Sequence, residues 1–385
     1  MGKKLLTSES VCKGHPDKLC DLISDTILDA CLERDKNSRV ACETLVTNGH
    51  IVVAGEITCS KRIDIDTIVK DVLLEVGYNP NAFEISIYVQ NQSLDIESGV
   101  NVALEVRDGG EKNPLELGAG DQGTVFGYAT DETKEMLPLA LVKAHAICKK
   151  LDTCMRDYSI FGIGSDGKAQ VTVEYEGDTP IRISTIVVAI QHVEEIDNLD
   201  LKNEIIKKVI NPVFKDFPYD NDTIILINPS GKFTIGGPFA DTGLTGRKII
   251  VDTYGGQAAH GGGAFSGKDP TKVDRSAAYM ARAISKNIVK CGFAKKCQTS
   301  ISYAIGKADP VALEIKTFNT SSVPEDLLER LVLKTFNLRP SAIINDLKLK
   351  DIKYSKTSTY GHFNDIENNT WEHFDRMQKL MEIFE

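Results

Sequence analysis

Three parts of the chain share one order of predicted elements: a helix, a β-hairpin and a second helix. In the first part, apolar residues at helical spacing cover 17–35, and two strand-like runs meet at Asn48-Gly49, a pair typical of tight hairpin turns. Equivalent hairpins are predicted at 170–190 and 298–318. Chance recurrence is the alternative, because helices and hairpins are common in mixed folds. Repetition predicts an α+β fold of three structurally similar domains, each with helices on one face of a small, mainly antiparallel sheet.

Division into domains also follows from chain length, since 385 residues are too many for one ordinary core. Boundaries are expected in the polar, glycine-bearing stretches near 107–116 and 236–246. If the inward faces of the strands stack on one another, the opposite sheet faces are free to form a broad, flat oligomer interface.

Charge and cysteine usage narrow the class of protein. Lysine and arginine number 45 against 55 acidic residues, and the net charge of −10 argues against nucleic acid as a partner. No apolar run reaches the roughly 18 residues of a membrane span, and the N-terminus lacks a secretory signal pattern. The nine cysteines are scattered, form no zinc-type pair and are odd in number. We therefore expect a cytoplasmic protein without a membrane partner.

A glycine-rich loop at 255–268 is the main candidate site. It is predicted to join a strand at 249–251 to the helix that follows it. Glycines let backbone N–H groups approach an anion, and the positive end of the helix dipole lies just beyond. Lys268 and Lys272 add positive charge, while Asp274 offers a hard oxygen ligand for magnesium. The pattern predicts a polyphosphate site.

Other interpretations of the glycine motifs are weaker. Residues 262–268 fit G-x-x-x-x-G-K, but Asp269 stands where a P-loop needs Ser or Thr. His260-Gly-Gly-Gly resembles the oxyanion loop of lipases, which requires a G-x-S-x-G elbow that the sequence lacks. Two G-x-G-x-x-G stretches, 118–123 and 162–167, precede extended segments, whereas a dinucleotide fold needs a helix there. A flexible surface loop is the remaining alternative.

A second candidate site lies near the N-terminus. His15 and Asp17 border a predicted helix start at Pro16 or Asp17, and Glu9 lies shortly upstream. A simply capped helix explains this pattern as well as an anion and metal site does. The residues alone leave both interpretations open.

Two further features carry suitable side chains. The loop at 228–248 contains Phe233, which suits stacking on a purine, and the adjacent cations Arg247 and Lys248, which suit a polyphosphate. A structural corner built from turn-forming residues is the alternative. Glu56, in an otherwise apolar strand, is either edge-exposed or a ligand for an amino group.

Taken together, these stretches resemble the S-adenosylmethionine synthetase family over nearly the whole chain. The motifs that carry the resemblance are, in order, Thr-Ser-Glu-Ser-Val, Gly-His-Pro-Asp-Lys, Ala-Cys-Glu-Thr, Gly-Glu-Ile-Thr, Gly-Ala-Gly-Asp-Gln-Gly, Gly-Leu-Thr-Gly-Arg-Lys, Asp-Thr-Tyr-Gly-Gly, His-Gly-Gly-Gly-Ala-Phe-Ser-Gly-Lys-Asp and Lys-Val-Asp-Arg-Ser-Ala-Ala-Tyr. Several unrelated motifs in one order are far more specific than any single motif. The resemblance implies an N-terminal domain at 1–107, a central domain at 115–233 and a C-terminal domain at 234–374, with elements exchanged at the domain edges.

The resemblance also implies an activity. The family joins L-methionine to ATP: the methionine sulfur attacks C5′ of the ribose, and the released triphosphate is cleaved to pyrophosphate and phosphate. It implies dependence on Mg²⁺, at two ions per site, and on K⁺. It further implies homodimers whose active sites lie between the two subunits, in some members paired into homotetramers.

Individual roles follow from the same resemblance. The implied catalytic residues are His15, Lys168, Arg247, Lys268 and Lys272. The implied ATP contacts are His15, Asp166, Lys168, Ser230, Lys232, Phe233, Asp241, Arg247, Lys248, Ala264 and Lys268. The implied methionine contacts are Glu56, Gln92, Asp241 and Lys272; the metal ligands are Glu9, Asp17 and Asp274 for magnesium and Glu43 for potassium. His15 is expected near the breaking C5′–O bond, and 92–102 is expected to form a mobile loop over the site.

This chain departs from the family pattern at several positions. Leu94 replaces a proline, Ala240 a glycine and Lys232 an arginine, and 152–165 lacks a tryptophan-bearing segment. These departures concern loop dynamics and the adenine pocket, not the reaction.

Two rival functions make different predictions. A nucleotide hydrolase or kinase that uses the glycine loop alone turns over ATP whether or not methionine is present. A non-catalytic subunit that has kept the fold requires losses at His15, Lys168 or Asp274, and none of these is lost.

Overall fold

The computed structural model describes residues 3–92, 102–110, 113 and 116–384. Its strands are β1 (Lys3–Val11), β2 (Arg39–Thr47), β3 (His50–Thr58), β4 (Glu84–Gln90), β5 (Gly123–Thr130), β6 (Ile163–Glu176), β7 (Thr179–His192), β8 (Ile224–Ile227), β9 (Gly243–Leu244), β10 (Lys296–Tyr303) and β11 (Ala312–Lys316). Its helices are α1 (Pro16–Arg34), α2 (Ile65–Val76), α3 (Leu104–Arg107), α4 (Leu139–Arg156), α5 (Asn198–Ile205), α6 (Asn211–Val213), α7 (Ile249–Asp252), α8 (Val273–Lys290), α9 (Glu325–Thr335), α10 (Pro340–Asp346) and α11 (Met377–Phe384).

The strands form three small sheets. Their orders are β4-β3-β2-β9 in the first sheet, β1-β6-β7-β8 in the second and β11-β10-β5 in the third. Each contains one hairpin of consecutive antiparallel strands, and β4 and β8 add to the first two hairpins in parallel. The predicted α+β architecture with three related units is therefore confirmed, with two sheets mixed rather than purely antiparallel.

One edge strand of each sheet comes from elsewhere in the chain. Strand β1 pairs with β6 of the central hairpin, β5 pairs with β10, and the short β9 pairs with β2. The three units are thus tied to one another by backbone hydrogen bonds, which agrees with exchange at domain edges. The exact boundaries at 107, 115 and 234 stay predictions.

Each sheet buries one face against a long helix. Helix α1 packs on β2, α4 on β1 and β6, and α8 on β5 and β10. In β2 the alternation is plain: Val40, Cys42 and Val46 are buried, whereas Glu43 between them is exposed. The second face of the first two sheets is open, since the side chains of Glu43 on β2 and Leu5 on β1 are exposed.

Two elements differ from the sequence prediction. Residues 249–251, predicted as a strand, belong to α7, in which the N–H of Asp252 donates to the Lys248 carbonyl at 2.9 Å. A run of three apolar residues is too short for periodicity to separate a strand from a helical turn. Strand β1 went unrecognised because its inward residues include Ser8 and Ser10, both buried, so that apolar alternation is absent.

Some sequence features fall outside the structural description. Residues 93–101 of the predicted mobile loop, with Leu94, lie outside the described residues. Within the described residues, no helix is both long enough and apolar enough to cross a bilayer.

Candidate active site

The N-terminus of α1 presents a histidine whose protonation state is fixed by its neighbours. The N–H of Asp17 donates to Nδ1 of His15 at 3.2 Å, so the proton of the neutral ring lies on Nε2. That Nε2 is buried and has no hydrogen-bond partner within the described structure. Burial, with the nearby charges of Lys248 and Lys168, lowers the pKa of His15 to about 3. His15 is therefore neutral, with its Nε2–H available as a hydrogen-bond donor.

Asp17 joins this histidine to two cations. Its Oδ2 accepts from Lys248 Nζ at 2.5 Å, Oδ1 accepts from the Leu244 N–H at 3.0 Å, and Arg247 Nε lies 3.7 Å from Oδ1. Burial opposes ionisation of the carboxyl, but these hydrogen bonds prevail and its pKa is lowered. Asp17 is therefore a carboxylate held between an ammonium and a guanidinium.

Strand β6 contributes Asp166 and Lys168 beside this cluster. Oδ2 of Asp166 accepts from the Gly237 N–H at 2.8 Å, while the buried Oδ1 has no partner among the described residues. Burial raises the pKa of Asp166. The charge of Lys168 opposes this rise and the carboxylate of Asp241 adds to it, so the three groups lie close together. We call His15, Asp17, Asp166, Lys168, Asp241, Arg247 and Lys248 the α1 group.

The loop predicted to hold adenine contacts the α1 group through Gly237, whose N–H donates to Asp166, and contacts the end of β7 through Phe233. The N–H of Phe233 donates to His192 Nε2 at 3.3 Å, and the ring is half-buried. Ser230 and Lys232 are exposed, and Lys232 pairs with Glu194 at 2.7 Å.

A second set of predicted residues gathers around the glycine-rich loop. Lys268 Nζ lies 2.5 Å from Asp274 Oδ2, and Lys272 Nζ lies 2.7 Å from Asp269 Oδ2. A cavity of about 180 Å³ is lined by Glu56, Gln92, Lys268, Lys272 and Asp274, among others. We call these five residues, with Glu43, the loop group.

Glu43 belongs to the loop group, whereas Ala264 lies beside the turn that precedes Arg247. Desolvation raises the pKa of Glu43; the Lys268 charge opposes this rise and the Glu56 carboxylate adds to it, so Glu43 lies near both. Ala264 is close to the turn at Gly246, since a Cβ placed on that glycine would lie 2.4 Å from the Ala264 Cβ.

Close packing explains several glycines of the loop. A Cβ on Gly267 would meet the Cys42 carbonyl oxygen at 1.9 Å, and one on Gly263 would meet the Asp274 carboxylate at 2.6 Å. The Gly267 N–H is already bonded to Asp25 at 2.9 Å. The loop is thus closely packed at Gly263 and Gly267, and the N–H of Gly267 is not free for an anion.

The predicted magnesium ligands are distributed rather than clustered. Glu9 is exposed on β1 opposite Gln170, whereas Asp17 belongs to the α1 group and Asp274 to the loop group. Across the described ranges, no three His, Cys, Asp or Glu side chains are arranged to hold a metal ion. Mg²⁺ commonly takes one or two carboxylates and completes its shell with phosphates and water. Asp17 and Asp274, each already facing an ammonium, have the oxygen donors that such a site needs.

The α1 group and the loop group lie at opposite ends of the open face of the first sheet. Leu244, bonded to Asp17, pairs with Leu45 of β2, whereas Lys268 forms a backbone bridge with Ala41. Four strand residues separate these points, about 13 Å. The fold thus places the predicted residues in two separate groups.

Two buried aspartates of α1 were missed. Asp21 and Asp25 are fully buried and bind the backbone beside both groups. Their spacing of four and eight residues from Asp17 was the available signal, but apolar periodicity does not include charged residues.

Comparison with known proteins identifies the family of the chain. Family models of the N-terminal, central and C-terminal domains of S-adenosylmethionine synthetase match residues 3–98, 116–233 and 235–373. An S-adenosylmethionine synthase of Desulforudis audaxviator is 47% identical over 388 residues, covering 99% of this chain and 98% of the relative. One from Nocardia farcinica is 49% identical over 395 residues, covering 98% of each chain. The chain belongs to the S-adenosylmethionine synthetase family.

Proposed function

We propose that the protein is a methionine adenosyltransferase that forms S-adenosylmethionine from ATP and L-methionine. The observation that carries this proposal is the α1 group, in which a neutral His15 donor and the cations Arg247, Lys248 and Lys168 surround a buried carboxylate. Such a site binds a polyanion and offers a proton donor without a strong base. Membership of the family supplies the reaction that needs these groups.

The proposed chemistry requires no activated nucleophile. A lone pair of the neutral methionine sulfur forms the S–C5′ bond, the C5′–O bond breaks, and its electron pair leaves with the triphosphate. The Nε2–H of His15 donates to the departing oxygen, and Arg247, Lys248 and Lys168 stabilise the charge that develops there. Water then cleaves the triphosphate to pyrophosphate and phosphate.

The remaining predicted residues are proposed to orient the substrates. Phe233 stacks on adenine, and Asp166, with its unpartnered Oδ1, accepts from the nucleoside. Ser230, Lys232 and Ala264 are the other proposed ATP contacts. Methionine is proposed to lie against Glu56, Gln92, Asp241 and Lys272, with carboxylates facing its ammonium group.

Metal ions are proposed at the carboxylates. Asp17, Asp274 and Glu9 would hold two Mg²⁺ and Glu43 would hold K⁺; when bound, these ions neutralise polyphosphate charge. Asp17 and Asp274 already attract cations, since each accepts from a lysine at 2.5 Å.

We further propose that two copies of the chain pair through their open sheet faces, with homotetramers as a further assembly. Exposed apolar residues on these faces support pairing: Leu5 is 59% exposed, Tyr88 69% and Ile224 55%. Two-fold pairing lets the α1 group of one copy meet the loop group of the other, which completes one site from two half-sites. The nine unpaired thiols suit the reducing cytoplasm proposed as its location.

The test is a product assay with ATP, methionine, Mg²⁺ and K⁺. We expect a sulfonium product in equal amounts with pyrophosphate and phosphate, and no product when methionine or magnesium is left out. ADP or AMP formed at the same rate without methionine would instead identify a nucleotide hydrolase.

A further inference from the structure

Four aspartates of α1 lie four residues apart and share one helical face. They are Asp17, Asp21, Asp25 and Asp29, none of them more than 2% exposed. Each accepts a backbone N–H from the later part of the chain, between residues 244 and 354: Asp17 from Leu244 at 3.0 Å, Asp21 from Gly246 at 2.8 Å, Asp25 from Gly267 at 2.9 Å and Asp29 from Tyr354 at 2.7 Å. We call this set the aspartate row.

Asp25 holds the loop that carries Lys268. It accepts from the Gly267 N–H and forms a two-bond pair with the buried Arg275 at 2.7 and 2.8 Å. The same guanidinium donates to the Lys268 carbonyl at 3.2 Å. On the other side, the Gly267 carbonyl accepts from the Cys42 N–H of β2 at 3.0 Å. The backbone before Lys268 is therefore fixed from both sides.

Asp21 does the same for the loop that carries Arg247 and Lys248. Its Oδ1 accepts from the Gly246 N–H, and its Oδ2 accepts from the buried Lys18 at 2.9 Å. Lys18 also donates to Asp252, the last residue of α7, the helix that begins directly after Lys248. Both ends of this loop therefore meet one buried ion network.

The two glycines explain why such anchors are needed. Gly246 and Gly267 have φ values of +79° and +80°, a left-handed conformation that glycine adopts at the cost of a large loss of backbone freedom. Each immediately precedes a residue of the candidate site. A charge-assisted hydrogen bond to the glycine N–H restricts the loop at the residue where it is most free.

We infer that Asp21 and Asp25 are positioning residues: Asp21 fixes the Arg247–Lys248 pair and Asp25 fixes Lys268, each in the geometry with which it contacts a triphosphate when two copies of the chain pair. This inference rests on the proposed function, because it assigns these three cations to the polyphosphate. Asp29 shares the residue type, burial and helical face, but it anchors Tyr354, next to which no proposed substrate contact lies. It is therefore a control for residue type, burial and backbone hydrogen bonding; unlike the other two substitutions, Asp29→Asn leaves no buried cation of the described residues unpaired, since the nearby Lys353 is half-exposed and 3.9 Å away.

The test compares Asp21→Asn, Asp25→Asn and Asp29→Asn in the full-length protein. Each substitution removes the charge and leaves one carboxamide oxygen as acceptor. Calorimetric titration with inorganic tripolyphosphate and Mg²⁺ is expected to show binding weakened about tenfold or more for the first two and less than about twofold for Asp29→Asn. The KM for ATP should rise in the same order, while the KM for methionine changes little.

Equal effects of the three substitutions would overturn the inference, because they would show a merely structural role. If wild-type protein forms no S-adenosylmethionine and binds no tripolyphosphate, the proposed function itself fails and this inference falls with it. Hydrogen exchange of the wild-type amides adds a measurement that needs no variant. Gly246 and Gly267 should exchange as slowly as the core of α1, and fast exchange at both would also overturn the inference.

Discussion

Replacing Gly243 by alanine should separate the Arg247–Lys248 loop from the start of α1. A Cβ at this position would lie 2.2 Å from the Pro16 carbonyl carbon and 2.3 Å from its oxygen. Both are backbone atoms of a buried helix start, so neither can rotate away. The loop must move by about 1 Å to restore ordinary contact, and Arg247 and Lys248 move with it.

The Gly243→Ala substitution is expected to lower both the stability of the protein and its reaction rate. Overpacking of this kind typically destabilises a protein by about 1–3 kcal/mol. A 1 Å displacement of catalytic groups can lower the rate by about 100-fold. We therefore expect kcat/KM for ATP to fall by about two orders of magnitude, measured by S-adenosylmethionine formation, with a smaller loss of stability in urea.

The control for this substitution is Gly110→Ala. An added Cβ there meets the Glu105 carbonyl oxygen at 3.5 Å, an ordinary contact. Both activity and stability should match those of the wild type. If Gly243→Ala behaved like the control, the close contact between this loop and α1 would be refuted.

Three further outcomes are expected. The pKa of His15 is about 3 in the folded protein and about 6.5 in the unfolded chain, so acid protonates the unfolded state first. Between pH 7.5 and 5.5 the unfolding free energy of the wild type should therefore fall about 1 kcal/mol more than that of His15→Asn. Equal losses in urea titrations would contradict this prediction. Asp274→Asn should lower product formation at least about tenfold and raise the magnesium requirement, so wild-type rates at limiting magnesium would remove its role. Glu372→Gln should cost about 3–5 kcal/mol in urea unfolding, since it leaves Arg282 and Lys286 buried without a counter-charge; a loss below about 1 kcal/mol would contradict the prediction.

Sequence reasoning predicted the units of the fold because they depend on local signals. The Asn48-Gly49 turn joins β2 to β3 as expected, and apolar spacing located α1 and α8. The edge strand β1 escaped because its burial depends on hydroxyl groups and on pairing with β6, far away in the chain. Pairing at that distance has no local periodicity to reveal it.

Residue types predicted which side chains form the site, but they did not predict that these side chains lie in two separate groups. Lys268 and Lys248 belong to motifs that a sequence displays, whereas their separation across the first sheet depends on the path of three interlocked units. Asp21 and Asp25 were missed for a different reason. Burial of charged side chains contradicts the rule that inward helical residues are apolar, and only the partners Lys18 and Arg275 make it tolerable.

Two chains are proposed to build each active site together, with the α1 group from one chain and the loop group from the other. This proposal is tested most directly by co-expressing Lys248→Ala and Lys272→Ala chains with different tags and purifying the hybrid dimers. Each variant alone should be nearly inactive, whereas every hybrid dimer should carry one intact site and one doubly defective site, giving about half of wild-type activity per dimer. Hybrid dimers with no more activity than the single variants would contradict the account, because they would place the whole site within one chain.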